Sequence, residues 1–148
     1  MIIVFFGQPH SGKTTLANAL SKEMQFFKMI DGDQLRDIFK NKDYSKEGRI
    51  KNLNRASDIA HYLNEITSMH TNIILSLVYP YKEARDYLNS LTDNIKWIYL
   101  HYAGERGREN FHVKDFELDL LEEKVLTLST SRWSVEECIH LIKNYINE

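Results

Sequence analysis

Met1-Ile-Ile-Val-Phe-Phe-Gly-Gln-Pro-His-Ser-Gly-Lys-Thr-Thr15 opens the chain, and its reading decides the fold. Ile2 to Phe6 is an unbroken apolar run of β-branched and aromatic residues, the pattern of a strand buried on both faces. Gly7, Gly12, Lys13 and Thr14 then fit G-x-x-x-x-G-K-[ST], the phosphate-binding loop. From Thr15 to about Met24, Leu16, Ala19 and Leu20 recur at helical spacing. Strand, glycine loop and helix therefore follow in the order the motif needs. Glycines let the backbone wrap an anion without a Cβ clash, and successive N–H groups can point inward as a nest. The helix N-terminus adds partial positive charge, Lys13 is placed to reach the β- and γ-phosphates, and Thr14 can hold Mg²⁺. A glycine turn before an ordinary helix is the plain alternative. The flanks favour a nucleoside triphosphate site, with Gly7, His10, Ser11, Gly12, Lys13, Thr14 and Thr15 as its expected ATP contacts.

The remaining composition is that of a globular chain. Its 148 residues, 43% hydrophobic and 27% charged, suit one domain with a real core. A net charge of −2 argues against a surface that coats nucleic acid. No apolar run approaches the roughly 20 residues that span a bilayer, so no membrane association is expected. The opening apolar stretch has neither a basic n-region nor a small-residue cleavage site, so it is expected to be the first strand and not a leader. Cys138 is the single cysteine, which excludes an internal disulfide. It shares a helical face with Val135, Ile139, Ile142 and Ile146 and reads as core. A cytoplasmic protein is the expectation.

In order, Phe26 to Ile30 reads as a second strand, Gln34 to Lys40 as a short helix, and Ser45 as the N-cap of a long helix to about His70. Ile50, Leu53, Ala56, Ile59, Ala60, Leu63 and Ile66 form the buried stripe of that helix. Asn72 to Val78 is a third strand, followed by a helix from Pro80 to about Leu91. Ile95 to Leu100 and Lys124 to Leu128 are strands four and five, and a helix closes the chain. Residues 103 to 117 lack periodicity and read as a loop. The alternation predicts an α/β fold: a three-layer αβα sandwich of the P-loop NTPase type with a five-stranded parallel sheet, in one domain over 1–148.

In such a sheet, ligands bind beyond the carboxyl ends of the strands. Those ends carry Gly7 to Thr14, then Asp31, Asp33 and Arg36, then Tyr79, Tyr81 and Arg85, then His101 to Phe116. All four groups are expected around one cleft. An acidic residue beside the phosphate loop can order metal-bound water and accept a proton from an attacking hydroxyl. Arg36, three residues beyond Asp33, can clamp an anionic acceptor group. An Asx turn or helix N-cap at Asp31 or Asp33 is the competing reading.

These residues resemble the adenylylsulfate kinase family, whose signature follows the phosphate loop with D-G-D-x-x-R, a Phe-Ser turn, R-x-x-N-x-x-R on a helix and S-P-[YF]-x-x-x-R-D after the third strand. Here the blocks are Asp31-Gly-Asp-Gln-Leu-Arg36, Tyr44-Ser45, Arg49-Ile-Lys-Asn-Leu-Asn-Arg55 and Tyr79-Pro-Tyr-Lys-Glu-Ala-Arg-Asp86. The resemblance covers residues 1 to about 100 well and the remainder in outline.

It implies a MgATP-dependent kinase acting on a hydroxyl, a ribose 3′-OH, of a small nucleotide-type acceptor. Lys13, Asp33 and Arg106 would be catalytic, with Thr14 and Asp33 on the metal. Asp31, Arg36, Tyr44, Arg49, Asn52, Tyr79 and Phe111 would bind the acceptor, Tyr44 and Phe111 by stacking on its base. Two departures stand out. Tyr79 replaces the family's serine before proline, and the lid, about 103–117, is shorter, with Arg106 and Arg108 as its cations. Relatives of the family phosphorylate other nucleotide conjugates, cytidine diphosphoramidate among them, and a short lid with an altered base clamp suits such an acceptor. A homodimer is a possible assembly. Another small-molecule or nucleotide kinase, or an inactive nucleotide-binding regulator, are the rival readings.

Overall fold

Five parallel strands form one sheet in the order β2-β3-β1-β4-β5 in a computed structural model that describes residues 1–104, 109–118 and 124–148. They are β1 (Ile2–Phe6), β2 (Phe27–Asp31), β3 (Asn72–Ser76), β4 (Ile95–His101) and β5 (Val125–Ser129). β1 is flanked by β3 and β4, and all five of its side chains are fully buried, as its unbroken apolar run requires.

Alternate residues of β1 point into two separate cores. Ile2, Val4 and Phe6 join Leu53, Ala56, Ala60, Ala84 and Leu88 of α3 (Lys46–Ile66) and α4 (Lys82–Leu91). Ile3 and Phe5 join Leu16, Leu20, Cys138, Ile139 and Ile142 of α1 (Lys13–Lys22) and α5 (Val135–Asn147). Helices thus cover both faces of the sheet, and the expected αβα sandwich is what forms. Cys138 is core, and burial pushes its thiol pKa up.

Several boundaries differ from expectation for local reasons. α1 begins at Lys13 because Gly12, at φ 99°, ends the loop in a left-handed turn. Ala17 joins its buried face as well, and Ala19 packs against the same core half-buried. α2 (Gly32–Phe39) starts earlier than expected because the Asp31 side chain caps it, accepting from Asp33 N at 3.0 Å and Gln34 N at 3.2 Å. Ser45 caps α3 as expected, its side chain accepting from Gly48 N at 3.2 Å. That helix stops at Ile66, where Thr67 turns extended, and Ile66 lies exposed beyond the end of the stripe. Val135 is exposed in the first turn of α5, which Ser134 and Glu137 close as a capping box. A 3₁₀ turn over Glu109–Phe111 interrupts the expected loop.

Candidate active site

The carboxyl ends of β1, β2 and β3 open into one cleft with a volume of about 1040 Å³. One side is the phosphate loop. Gly7 adopts φ 144°, and a Cβ there would stand 2.2 Å from Leu100 O, so only glycine fits. The loop is braced from behind. Thr130 Oγ1 donates to Ser11 O at 2.8 Å, and Gly7 N donates to Val78 O at 3.2 Å. His10, Gly12, Lys13, Thr14 and Thr15 face the cleft, whereas Gly7 and Ser11 lie behind its wall and shape the loop.

Lys13 is 8% exposed, and its ammonium donates to Gln8 O at 2.7 Å. Burial pulls its pKa down to about 8, opposed by the carboxylates of Asp33 and Asp31. A cation held in so dry a place, before a loop of inward-turned backbone, fits the terminal phosphates of a nucleotide. Thr14 Oγ1 donates to Asp31 Oδ2 at 3.3 Å, and Ser76 Oγ lies 3.3 Å from the same hydroxyl. With Asp33 on the same cleft, the donor set is hard oxygen throughout, and it fits Mg²⁺.

The opposite side is built by α2, the turn after it and the start of α3. Arg36 donates through Nη1 to Asn41 O at 3.1 Å and Asp43 O at 3.0 Å, and its guanidinium lies 4.1 Å from the centroid of the Tyr44 ring. Arg49 Nε donates to Tyr44 O at 2.8 Å, which seats that turn on α3. Asn52 is 4% exposed, and its Oδ1 has no hydrogen-bond partner among the described residues. A buried acceptor on the lining of a cleft, without a protein donor, is left for water or a ligand to satisfy. Tyr44 and Phe111 are both well exposed on the cleft, with Phe111 also in edge contact with His10 at 6.3 Å.

Three of the four expected groups meet here, the last of them through residues 110 to 113, and one does not. Tyr79 is fully buried and leaves the candidate acceptor site. Its ring packs edge-on against Trp97 at 5.4 Å, and its hydroxyl lies 3.0 Å from Ser57 Oγ. The backbone at Tyr79 is left-handed, at φ 44°, which turns the side chain inward and leaves Pro80 on the cleft. Tyr81 is buried too, and Arg85 is an internal brace that donates to Tyr79 O and Glu117 O, each at 2.8 Å. Arg106 and Arg108 lie outside the described residues. Two contributors escaped the sequence reading. Ser76 could have been noticed as the lone hydroxyl in an apolar strand. Gln8 gave no local signal, because its partner Val113 is 105 residues away.

A phosphate loop opening onto a cleft with two carboxylates and facing arginines defines a nucleotide-binding phosphotransferase, a P-loop kinase. The family model for adenylylsulphate kinase matches residues 1–108, and the chain belongs to that family. It is 27% identical over 161 aligned positions to the cytidine diphosphoramidate kinase of Campylobacter jejuni subsp. jejuni, covering 95% of this chain and 93% of that protein. The fold is shared with the crystal structure of APE1195, at a TM-score of 0.81 and 24% identity, covering 99% of this chain and 94% of that one. It is shared also with the Mycobacterium tuberculosis APS kinase CysC, solved with AMPPNP and APS, at a TM-score of 0.78 and 16% identity, covering 99% and 97%.

Proposed function

We propose that the chain is a MgATP-dependent kinase that transfers the γ-phosphoryl group to a ribose 3′-OH of a small nucleotide-type acceptor, adenylylsulfate or an analogue such as cytidine diphosphoramidate. Residues 1–148 act as one kinase domain. The observation that carries this reading is the two-sided cleft: the buried Lys13 on one side, Arg36, Tyr44, Arg49 and Asn52 on the other, and the carboxylates of Asp31 and Asp33 beside Lys13.

Lys13 and the loop backbone hold the triphosphate. Thr14 and Asp33 would hold Mg²⁺, which when bound would supply positive charge beside the transferring phosphoryl group. Arg36 and Arg49 take the anionic end of the acceptor, and Tyr44 and Phe111 stack on its base. Asn52 Oδ1 accepts from an N–H or O–H of the acceptor. The acceptor oxygen then bonds to the γ-phosphorus while the bond to the β-bridging oxygen breaks. The hydroxyl proton passes to the Asp33 carboxylate, and ADP leaves. Arg106 stands in the stretch that departs from the family pattern, outside the described residues, and its role is to add a cation to the transferring phosphate. Both nucleotide conjugates carry a base, a 5′ anionic group and a ribose hydroxyl, so the cleft chemistry serves either. Incubation with MgATP and each conjugate, followed by product mass, tests the reading: it expects acceptor-dependent ADP and a singly phosphorylated acceptor, and ATP turnover indifferent to both conjugates contradicts it.

A further inference from the structure

Gln8 stands in the variable part of the phosphate loop, where the motif asks nothing of the side chain. Its amide makes two hydrogen bonds to the backbone of one residue. Val113 N donates to Gln8 Oε1 at 2.8 Å, and Gln8 Nε2 donates to Val113 O at 2.9 Å. The pair is self-consistent in donor and acceptor, so it fixes which end of the amide is oxygen. It imitates one rung pair of an antiparallel ladder. Val113 itself is 5% exposed and ends the stretch from Asn110 that walls the cleft and presents Phe111. On its other side Gln8 meets the phosphate-binding cation, since its carbonyl accepts from Lys13 Nζ at 2.7 Å.

We propose that Gln8 is a positioning residue that fastens the Asn110 to Val113 wall to the phosphate loop, and so sets acceptor affinity from within the ATP site. The inference rests on the kinase reading of the cleft. The wall is also tied to the β3–α4 loop, through Tyr81 Oη donating to Asp115 Oδ1 at 3.3 Å and Glu117 N donating to Pro80 O at 2.8 Å. Those ties lie beyond Val113. Loss of the Gln8 pair therefore loosens the cleft-facing part and leaves the strap behind it in place. Phe111 would then stack less firmly, while the triphosphate contacts of Lys13 and Thr14 stay intact.

Gln8→Leu keeps the volume and removes both bonds. Gln8→Glu keeps the acceptor for Val113 N but turns a carboxylate oxygen onto Val113 O. Three readouts are needed: amide hydrogen exchange at Val113, KM for adenylylsulfate and cytidine diphosphoramidate, and MgATP Kd by calorimetry. In Gln8→Leu the expected result is Val113 exchange and acceptor KM each raised about tenfold, the scale of two modest hydrogen bonds, with MgATP Kd within about threefold of wild type. Gln8→Glu should shift both in the same direction. Unchanged Val113 exchange in both variants overturns the latch. Faster exchange with an unmoved acceptor KM, or with an equal loss of MgATP affinity, overturns its role in acceptor binding. If wild type turns over neither conjugate, the kinase reading has failed by itself, and Val113 exchange still decides the latch.

Discussion

Thr14 Oγ1 and Asp31 Oδ2 meet at 3.3 Å across 17 residues, joining the phosphate loop to the end of β2. The other oxygen of the same carboxylate caps α2 through Asp33 N and Gln34 N. Asp31 is thus committed to structure on both sides, and the proposed mechanism gives the reacting hydroxyl to Asp33, which also lines the cleft. Asp33→Asn should lower kcat roughly 10²-fold or more, with MgATP Kd changed only a few-fold, the scale of general acid–base groups. Asp31→Ala should instead cost about 1 kcal/mol of stability through the lost cap. Near wild-type kcat in a folded Asp33→Asn protein would refute the assignment.

Lys13 makes triphosphate binding sensitive to pH. Its pKa of about 8 lies below the ordinary 10.5, so the folded apo protein binds fewer protons than the unfolded chain between those values. The contribution of this group to apo stability therefore rises as pH climbs through that window, and the burial penalty is fully present below it. Triphosphate binding needs the charged form. MgATP affinity should fall about tenfold between about pH 7 and about pH 9, with proton uptake on binding near pH 8. Calorimetry in buffers of different ionisation enthalpy measures both quantities. Lys13→Ala should bind MgATP weakly at every pH, abolish transfer and lose the uptake.

Tyr44 is 62% exposed and carries the Arg36 guanidinium on its ring, so it is not a staple packed beneath α3. Base stacking is worth about 1–3 kcal/mol. Tyr44→Ala should raise acceptor KM by roughly 5- to 150-fold, leave ATP KM nearly unchanged and move the melting temperature little. A lower melting temperature with an unmoved acceptor KM would take Tyr44 out of the site.

Tyr79 behaves in the opposite way. Ser57 Oγ donates to Leu53 O at 2.9 Å, so the tyrosine hydroxyl must donate to Ser57 at 3.0 Å, and burial pushes its pKa well above the phenol range. Tyr79→Phe should cost about 1 kcal/mol of stability without changing either KM. Chemical denaturation and steady-state kinetics on the one variant check both halves.

The sheet and its helices were legible because their signals are local. Ile2 to Phe6 is apolar without a break, and Ser45 announces its helix by type and place. The cleft was legible where a motif reads consecutive positions, as at Lys13, Thr14 and Asp33. It was not legible where geometry turns on one dihedral angle or a distant partner. The left-handed Tyr79 sends into the core a side chain that the aligned serine suggested for the site. Gln8 meets Val113 only after the whole sheet is assembled.

Phosphoryl transfer to a nucleotide-type acceptor leaves a mass signature on the acceptor, and mass spectrometry of the reaction products reads it. Purified protein is incubated with MgATP and, separately, with adenylylsulfate and cytidine diphosphoramidate, alongside Lys13→Ala. Wild type is expected to form ADP together with a conjugate heavier by one phosphoryl group on its ribose, and Lys13→Ala is not. Unmodified conjugates with wild type, or product formed equally by Lys13→Ala, would contradict that expectation.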